Sequence, residues 1–409
     1  MSAQSARPLW LVILSAALVV GVAMGLRNVM GLYQVPLVSE MASKFDPTIG
    51  RETFSLAMAI ANIVWGIGSP FAGAISDKFG TGRVIVGGAL STMGGLYLMY
   101  IATTKLELML SGFLLGIGVS GTGVTALVGA VGRMAPPEKR MSAMSAVGMG
   151  SGLGILIALP YTHFLIENLG WRGSLLVVLF TTAIIIPFAF PLAGKPQQLG
   201  GEKPQTLGEA LSEAFAHPSF WLLIAGFFVC GFHVTFVGVH LPAFAKDQQL
   251  PAWVGSWALM GVGAANVLGT WLAGQSAKIV EKRISLSLIY FARAIIFLGF
   301  IYLPMTEVTV IALAAALGLF WLSTIPLTSG LVATFFGPAW MSMLYGIVFL
   351  SHQIGSFLGV WLAGYLYDLT KSYTAMWWIS VGLGLFAAIV HWPIKERPVE
   401  RSPVLATAA

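Results

Sequence analysis

Hydrophobic residues fall into long runs separated by short polar breaks. Apolar stretches lie near 9–35, 53–76, 84–103, 106–132, 141–165 and 172–193. They recur near 219–245, 253–277, 285–304, 307–334, 341–367 and 374–393. Each has the roughly 20 residues a helix needs to cross about 30 Å of hydrocarbon. A helix pairs its own backbone groups, which lipid cannot do for it. The pattern therefore predicts an all-α membrane protein with twelve transmembrane helices in two pseudo-symmetric six-helix bundles. One long polar stretch interrupts the series, 194–217, with Lys195-Pro196, Gly200-Gly201 and Lys203-Pro204. It is read as a linker between an N-terminal bundle (1–193) and a C-terminal bundle with a short tail (218–409). Within it, Leu207 to Phe215 has the pattern of an amphipathic helix on the membrane surface.

Composition supports this division. Hydrophobic residues make up 57% of the 409, and charged residues only 9%, against about 25% in soluble domains. The single cysteine, Cys230, excludes an intramolecular disulfide or a cysteine-based metal site. A net charge of +6 invites a nucleic-acid reading, but the basic residues stand in short breaks between apolar runs, where they encode topology. With the N-terminus cytoplasmic, fourteen Lys and Arg fall inside and six outside, while Arg27 and Arg293 fall within spans. Both termini are thus expected in the cytoplasm, in a bacterial inner membrane. No cleaved leader is expected, because the first apolar run continues through Leu26 and its removal would leave an odd number of spans. The halves also repeat. Ser55-x-Ala57 and Ala72-Gly73 return 201 residues later as Ser256-x-Ala258 and Ala273-Gly274, and Met141-Ser142 and Ser151 return 200 later as Met341-Ser342 and Ser351. A duplicated unit is the expected basis for alternating access around a central site.

Between the second and third spans stands GAISDKFGTGR, Gly73 to Arg83. It resembles the signature loop of the major facilitator superfamily. Gly73 would let helices approach closely, while Asp77, Lys78 and Arg83 would sit at the cytoplasmic mouth and gate it. The matching place in the second half has Lys278 where Asp77 stands. Arg27 is the most informative single residue, about 27 Å along the first span at 1.5 Å per residue. A charge at the bilayer centre costs roughly 2.5–3.5 kcal/mol on insertion scales. A wet cavity with a carboxylate ligand would justify it, since guanidinium grips carboxylate with two parallel hydrogen bonds. The competing reading is structural: Arg27 reaches outward, or pairs with Glu40 or Asp46.

RNVMGLY from Arg27, RETFSLAMAI from Arg51 and EKRMSAMSAVGMGSGLG from Glu138 resemble the monocarboxylate transporter family and its bacterial branch. FHVTFVGVHLPAF (232–244) and IVFLSHQIGSFLGVWLAGYLYD (347–368) do so too. The resemblance implies that Arg27 engages the substrate carboxylate. It also departs from the family. Animal members carry an Asp and an Arg in the eighth span, where this chain offers only Asn266 and Thr270. Related oxalate–formate exchangers carry an eleventh-span Lys, where His352 stands here.

No carboxylate lies deep in a span; Glu52 and Glu107 sit at span ends. Proton coupling would need another carrier, and His233, His240 and His352 are the candidates because histidine titrates near physiological pH. Tyr33, Asn62, His233, Trp321, His352 and Gln353 join Arg27 as candidate substrate contacts, with packing as the alternative for each. Arg293 is left between structural pairing and a substrate role. The expected function is transport of a small organic anion, such as a monocarboxylate, by a monomer with proton symport. Anion exchange and efflux of an amphipathic compound are alternatives, as is a sensor without transport. No HExxH, GxSxG or Walker A motif appears, so no enzyme, cofactor, metal site or nucleic-acid partner is expected.

Overall fold

In the computed structural model the described residues are 8–49, 51–193 and 205–399. They form helices α1 (Leu9–Lys44), α2 (Arg51–Phe79), α3 (Thr81–Ile101), α4 (Lys105–Thr122), α5 (Val124–Met134), α6 (Pro137–Ala183) and α7 (Ile185–Ala189). The series continues with α8 (Leu207–Ala216), α9 (Pro218–Asp247), α10 (Ala252–Ser276), α11 (Lys282–Tyr302), α12 (Glu307–Leu319), α13 (Thr324–Phe336), α14 (Met341–Thr370) and α15 (Thr374–His391). Ten stretches are long and apolar enough to cross a membrane. One of them, Pro137–Ala189, holds two spans, because the chain turns at Gly170 (φ 67°). With α10, of 25 residues, the twelve expected spans are accounted for. Exposed Trp10, Phe71, Phe180, Phe190 and Trp361 present apolar side chains outward, as lipid requires and water does not.

Several boundaries differ from the apolar pattern for local reasons. α1 runs to Lys44, beyond the expected end near 35. Tyr33, Leu37 and Met41 recur every fourth residue and are fully buried, so the helix stays anchored by one face after the apolar run ends. The signature loop is almost absent. α2 continues to Phe79 and α3 begins at Thr81, leaving only Gly80, with φ 99°, a backbone angle glycine adopts without strain. Asp77 is therefore helical. The fourth span breaks at Gly123 and the tenth at 320–323, corresponding places in the two halves. The amphipathic α8 matches its expected place, with a capping box in which Thr206 and Glu209 bond each other's backbone N–H. Residues 194–204, which hold the rest of the expected linker, lie outside the described residues.

The two bundles meet along two related seams, α2 against α14 and α6 against α10. A Cβ on Gly73 would lie 2.5 Å from the Ser342 carbonyl oxygen, and one on Gly274 would lie 1.9 Å from Ser145 Oγ. The sequence repeat thus places its two corresponding glycines, Gly73 and Gly274, at the two seams. These approaches lie near the face that carries the first residues of α1 and the last of α15, hereafter the terminal face. Further in, the α2–α14 seam reaches Asn62, whose carbonyl accepts from Gln353 Nε2 at 3.3 Å.

Candidate functional site

Arg27 projects from α1 toward α2. Its Nη2 donates to Asn62 Oδ1 at 2.7 Å, and its guanidinium carbon lies 4.8 Å from the centre of the Trp65 ring. Asn62 and Trp65 are three apart and share a face of α2. Among the described residues no carboxylate pairs with Arg27. Glu40 instead holds Lys44, Trp171 and Arg172, and Asp46 holds Thr48, so the outward latch considered for Arg27 is used by other groups.

The second half completes this constellation through α14. Gln353 bridges to the Asn62 carbonyl, and its Oε1 lies 3.1 Å from His352 Nδ1. His352 stacks on Phe349 with ring centres 5.0 Å apart, and Phe349 in turn meets Trp65 at 4.8 Å. A polar series, Arg27–Asn62–Gln353–His352, and an aromatic one, Arg27–Trp65–Phe349–His352, therefore cross the seam side by side. Arg27, Asn62, Gln353 and His352 of the expected set converge here.

Other expected residues sit elsewhere. The Tyr33 hydroxyl is fully buried 2.7 Å from Ser174 Oγ, inside the first bundle. His233 Nε2 donates to the Ser380 carbonyl at 2.9 Å and its ring packs on Phe297. His240 Nε2 donates to the Val360 carbonyl at 3.2 Å, and Nδ1 lies 3.1 Å from the Tyr373 hydroxyl. Both histidines face neighbouring helices of the second bundle, because successive heptad positions on α9 share the side turned to α14 and α15. Trp321 stands at the break between α12 and α13.

Arg293 serves that break. It is fully buried, and its Nη2 donates to the Phe320 carbonyl and, at 2.7 Å, to the Trp321 carbonyl. These acceptors end α12, where carbonyls lack intrahelical partners and the helix dipole is negative. Asn266 takes the other side, its Oδ1 accepting from Leu322 N at 2.9 Å. Cys230 lies 3.7 Å from Arg293 and 3.2 Å from Thr324 Oγ1. Arg293 thus makes structural contacts, and the amide of the eighth span supports them.

At the terminal face Asp77 accepts from Arg133, and from Met343 N at 2.8 Å across the seam. Arg133, on the last turn of α5, also donates to Ser342, and to Thr81 Oγ1 at 3.1 Å. Gly73 and Asp77 thus touch the opposite half. Lys78 and Arg83 are exposed instead. Lys78 is a single step beyond Asp77, which turns it about 100° round the helix. Arg133 takes the cation's place in this clasp.

The sequence profile of the Major Facilitator Superfamily matches residues 9–360. The chain belongs to that superfamily. Monocarboxylate transporter 11 of Homo sapiens is 27% identical over 399 residues, spanning 93% of this chain and 82% of that protein. The MFS-type transporter YcxA of Bacillus subtilis is 23% identical over 395 residues, spanning 91% and 93%. Among solved structures, the human organic anion transporter MFSD10 has a TM-score of 0.75 at 15% identity, covering 94% of this chain and 99% of that one. The fucose:proton symporter FucP of E. coli has a TM-score of 0.71 at 15% identity, covering 94% and 97%. These two likenesses speak for the fold. The protein is a facilitator-type transporter related to the monocarboxylate transporters, and the family's members are transporters, not enzymes.

Two members of the central site are not marked in the sequence. Trp65 and Phe349 carry no charge that would single them out among the many aromatics of the spans. The spacing of Trp65 three residues after Asn62 is the available signal. Arg133 reads in the sequence only as a topology-setting cation, although it closes the fourth span directly before Pro136-Pro137.

Proposed function

We propose that the protein moves a small organic anion, a monocarboxylate, by alternating access with proton symport. One observation carries this: the Arg27 guanidinium lies at the seam of the two halves with an amide and an aromatic face as partners and, among the described residues, no carboxylate. A cation held without a counter-ion in a span is unfavourable unless an anion joins it, and a carboxylate matches its fork. The relationship to transporters named for monocarboxylates supports the substrate class. We read the terminal face as cytoplasmic from its basic residues, in a bacterial inner membrane, with the structure closed on that side. His352, in the central site, is the favoured proton carrier of the three histidines. The protein works as a monomer in this reading.

The test is uptake of labelled L-lactate into proteoliposomes driven by an inward proton gradient. Uptake is expected in the wild type and lost in Arg27→Ala. Equal uptake by the variant would remove Arg27 from the substrate site. Anion exchange is a second reading, favoured because Asp77, the one deeply buried carboxylate among the described residues, is engaged by Arg133. Uptake that requires internal lactate and ignores the proton gradient would favour exchange.

A further inference from the structure

Trp65 combines two properties that its packing alone does not explain. It is buried, and its indole Nε1 has no hydrogen-bond partner. Burying a donor in that state is unfavourable, and native structures seldom do it without a ligand, a water or an ion to accept the bond. The indole nitrogen points at the break in the fourth span. A Cβ on Gly123 would come within 3.3 Å of it and 2.5 Å of the Val119 carbonyl oxygen, so only glycine at 123 lets the break lie this close to the indole N–H.

The first turn of α5 begins at that break. No side chain caps it and no acidic residue lies in its first turn. The backbone N–H groups of a first helical turn have no intrahelical acceptors and sit at the positive end of the helix dipole. Thr125, in the same turn, is also fully buried with an unpartnered hydroxyl. Arg27 stands over the indole, 4.8 Å from the ring centre.

We propose that the transported anion's carboxylate is held jointly by Arg27, the Trp65 indole N–H and the first turn of α5 at Gly123. This rests on the monocarboxylate reading above and adds two components to it. The chemistry of the donor set selects the ligand. Guanidinium, indole N–H and main-chain N–H groups only donate. An ionised carboxylate only accepts, through two oxygens. An alcohol or primary amide would bring donors of its own to a site already full of them. Helix N-termini with open backbone are recurrent anion sites, and broken helices that point such ends at a substrate recur in membrane transporters.

The assignment also gives the site a means of sensing occupancy. Trp65 touches Phe349 of the second half, and α5 ends in Arg133 of the terminal clasp. An anion bound between them contacts, through one indole and one short helix, both inter-half structures described above.

The test uses protein labelled with nitrogen-15 at its 13 indoles, purified in detergent. Trp65→Phe keeps a ring against Phe349 and removes the N–H, so its missing signal assigns Trp65; Trp65→Tyr assigns it if the phenylalanine variant does not fold. Sodium L-lactate is expected to shift the Trp65 N–H resonance, lactamide is not, and Arg27→Ala should abolish the response. Trp65→Phe should also weaken lactate binding, read by thermal shift, by about tenfold, the effect of one hydrogen bond to a charged group. A Trp65 signal unmoved while lactate still stabilises the protein through Arg27 would overturn the inference and leave the proposed function standing. No stabilisation by lactate or other small monocarboxylates would fail the proposed function, and this inference with it.

Discussion

Gly73 offers the sharpest test of how the two halves close. Its missing side chain lets α2 press against the start of α14. In Gly73→Ala the added carbon would sit 2.5 Å from the Ser342 carbonyl oxygen and 2.7 Å from Met343 N. Both are backbone atoms, so neither can rotate away, and the helices must separate. Separation also stretches the 2.8 Å bond from Met343 N to Asp77. Overpacking of this kind costs roughly 1–3 kcal/mol. The strain exists only while the terminal face is closed, so the whole of it acts on the conformational equilibrium. That corresponds to a shift of roughly 5- to 150-fold toward the open terminal face. Spin labels on cysteines at Phe79 and Ile279, both exposed and on opposite halves, would report it in a Cys230→Ser background. Pulsed electron–electron distances should lengthen in Gly73→Ala. Gly87→Ala is the control, since a Cβ there meets nothing within 4 Å. An unchanged distance distribution in Gly73→Ala, or an equal change in Gly87→Ala, would refute the reasoning.

The remaining predictions concern individual contacts. Asp77→Asn leaves the Arg133 guanidinium buried without its carboxylate and should lower the melting temperature, by an amount equivalent to roughly 3–5 kcal/mol; the Asp77→Asn/Arg133→Gln pair should recover part of that in a double-mutant cycle. Arg293→Met removes the donors at the end of α12 and should cost about 2 kcal/mol or more, read as a loss of thermal stability in lipid nanodiscs. Tyr33→Phe breaks only the bond to Ser174 and should cost about 1 kcal/mol with lactate uptake unchanged; lost uptake at full stability would return Tyr33 to the substrate site. Glu40, held chiefly by its hydrogen bond to Lys44 and further by Trp171 and Arg172, has its carboxyl pushed below its ordinary value. Its contribution to stability is therefore present above the unfolded carboxyl's titration and lost as pH falls through the folded one, so Glu40→Gln should flatten the acid limb of a melting-temperature profile.

The spans are legible because lipid imposes one simple demand, a helix of sufficient apolar length, and the chain meets it twelve times. Helix ends are less so. The end of α1 depends on Tyr33, Leu37 and Met41 finding a partner surface, which no window of hydropathy measures. Arg27 stands out in the sequence because a cation in a span violates the local solvent, and its neighbours Asn62 and Gln353 are two of many polar candidates. His233 and His240 meet the same rule, yet they bond backbone carbonyls inside a bundle. A polar residue in a span announces that it needs a partner, and the sequence does not say whether that partner is a ligand or a neighbouring helix. Trp65 shows the converse, since beyond its spacing from Asn62 an aromatic residue in a membrane helix carries little signal until its orphaned N–H is seen.

The two seams also imply an order for opening. Each has a glycine against the opposite half, Gly73 on the Ser342 backbone and Gly274 on the Ser145 side chain. Their charges differ. The α2–α14 seam carries the buried Asp77–Arg133 pair, which is joined across the halves to Met343 and Ser342. At the α6–α10 seam Lys278 stands in place of the acid, exposed, and donates to Gln275 of its own half. Opening the first seam must therefore expose or re-partner a buried ion pair, while opening the second separates mainly apolar and hydroxyl surfaces. The pair itself stays within the first half, but it loses its charge-assisted bonds to Met343 N and Ser342, which costs more than parting such surfaces. On the proposed gating role, the barrier to opening the terminal face would reside at Asp77, and an anion held as proposed beside α5 would lie on the helix that delivers Arg133 to it.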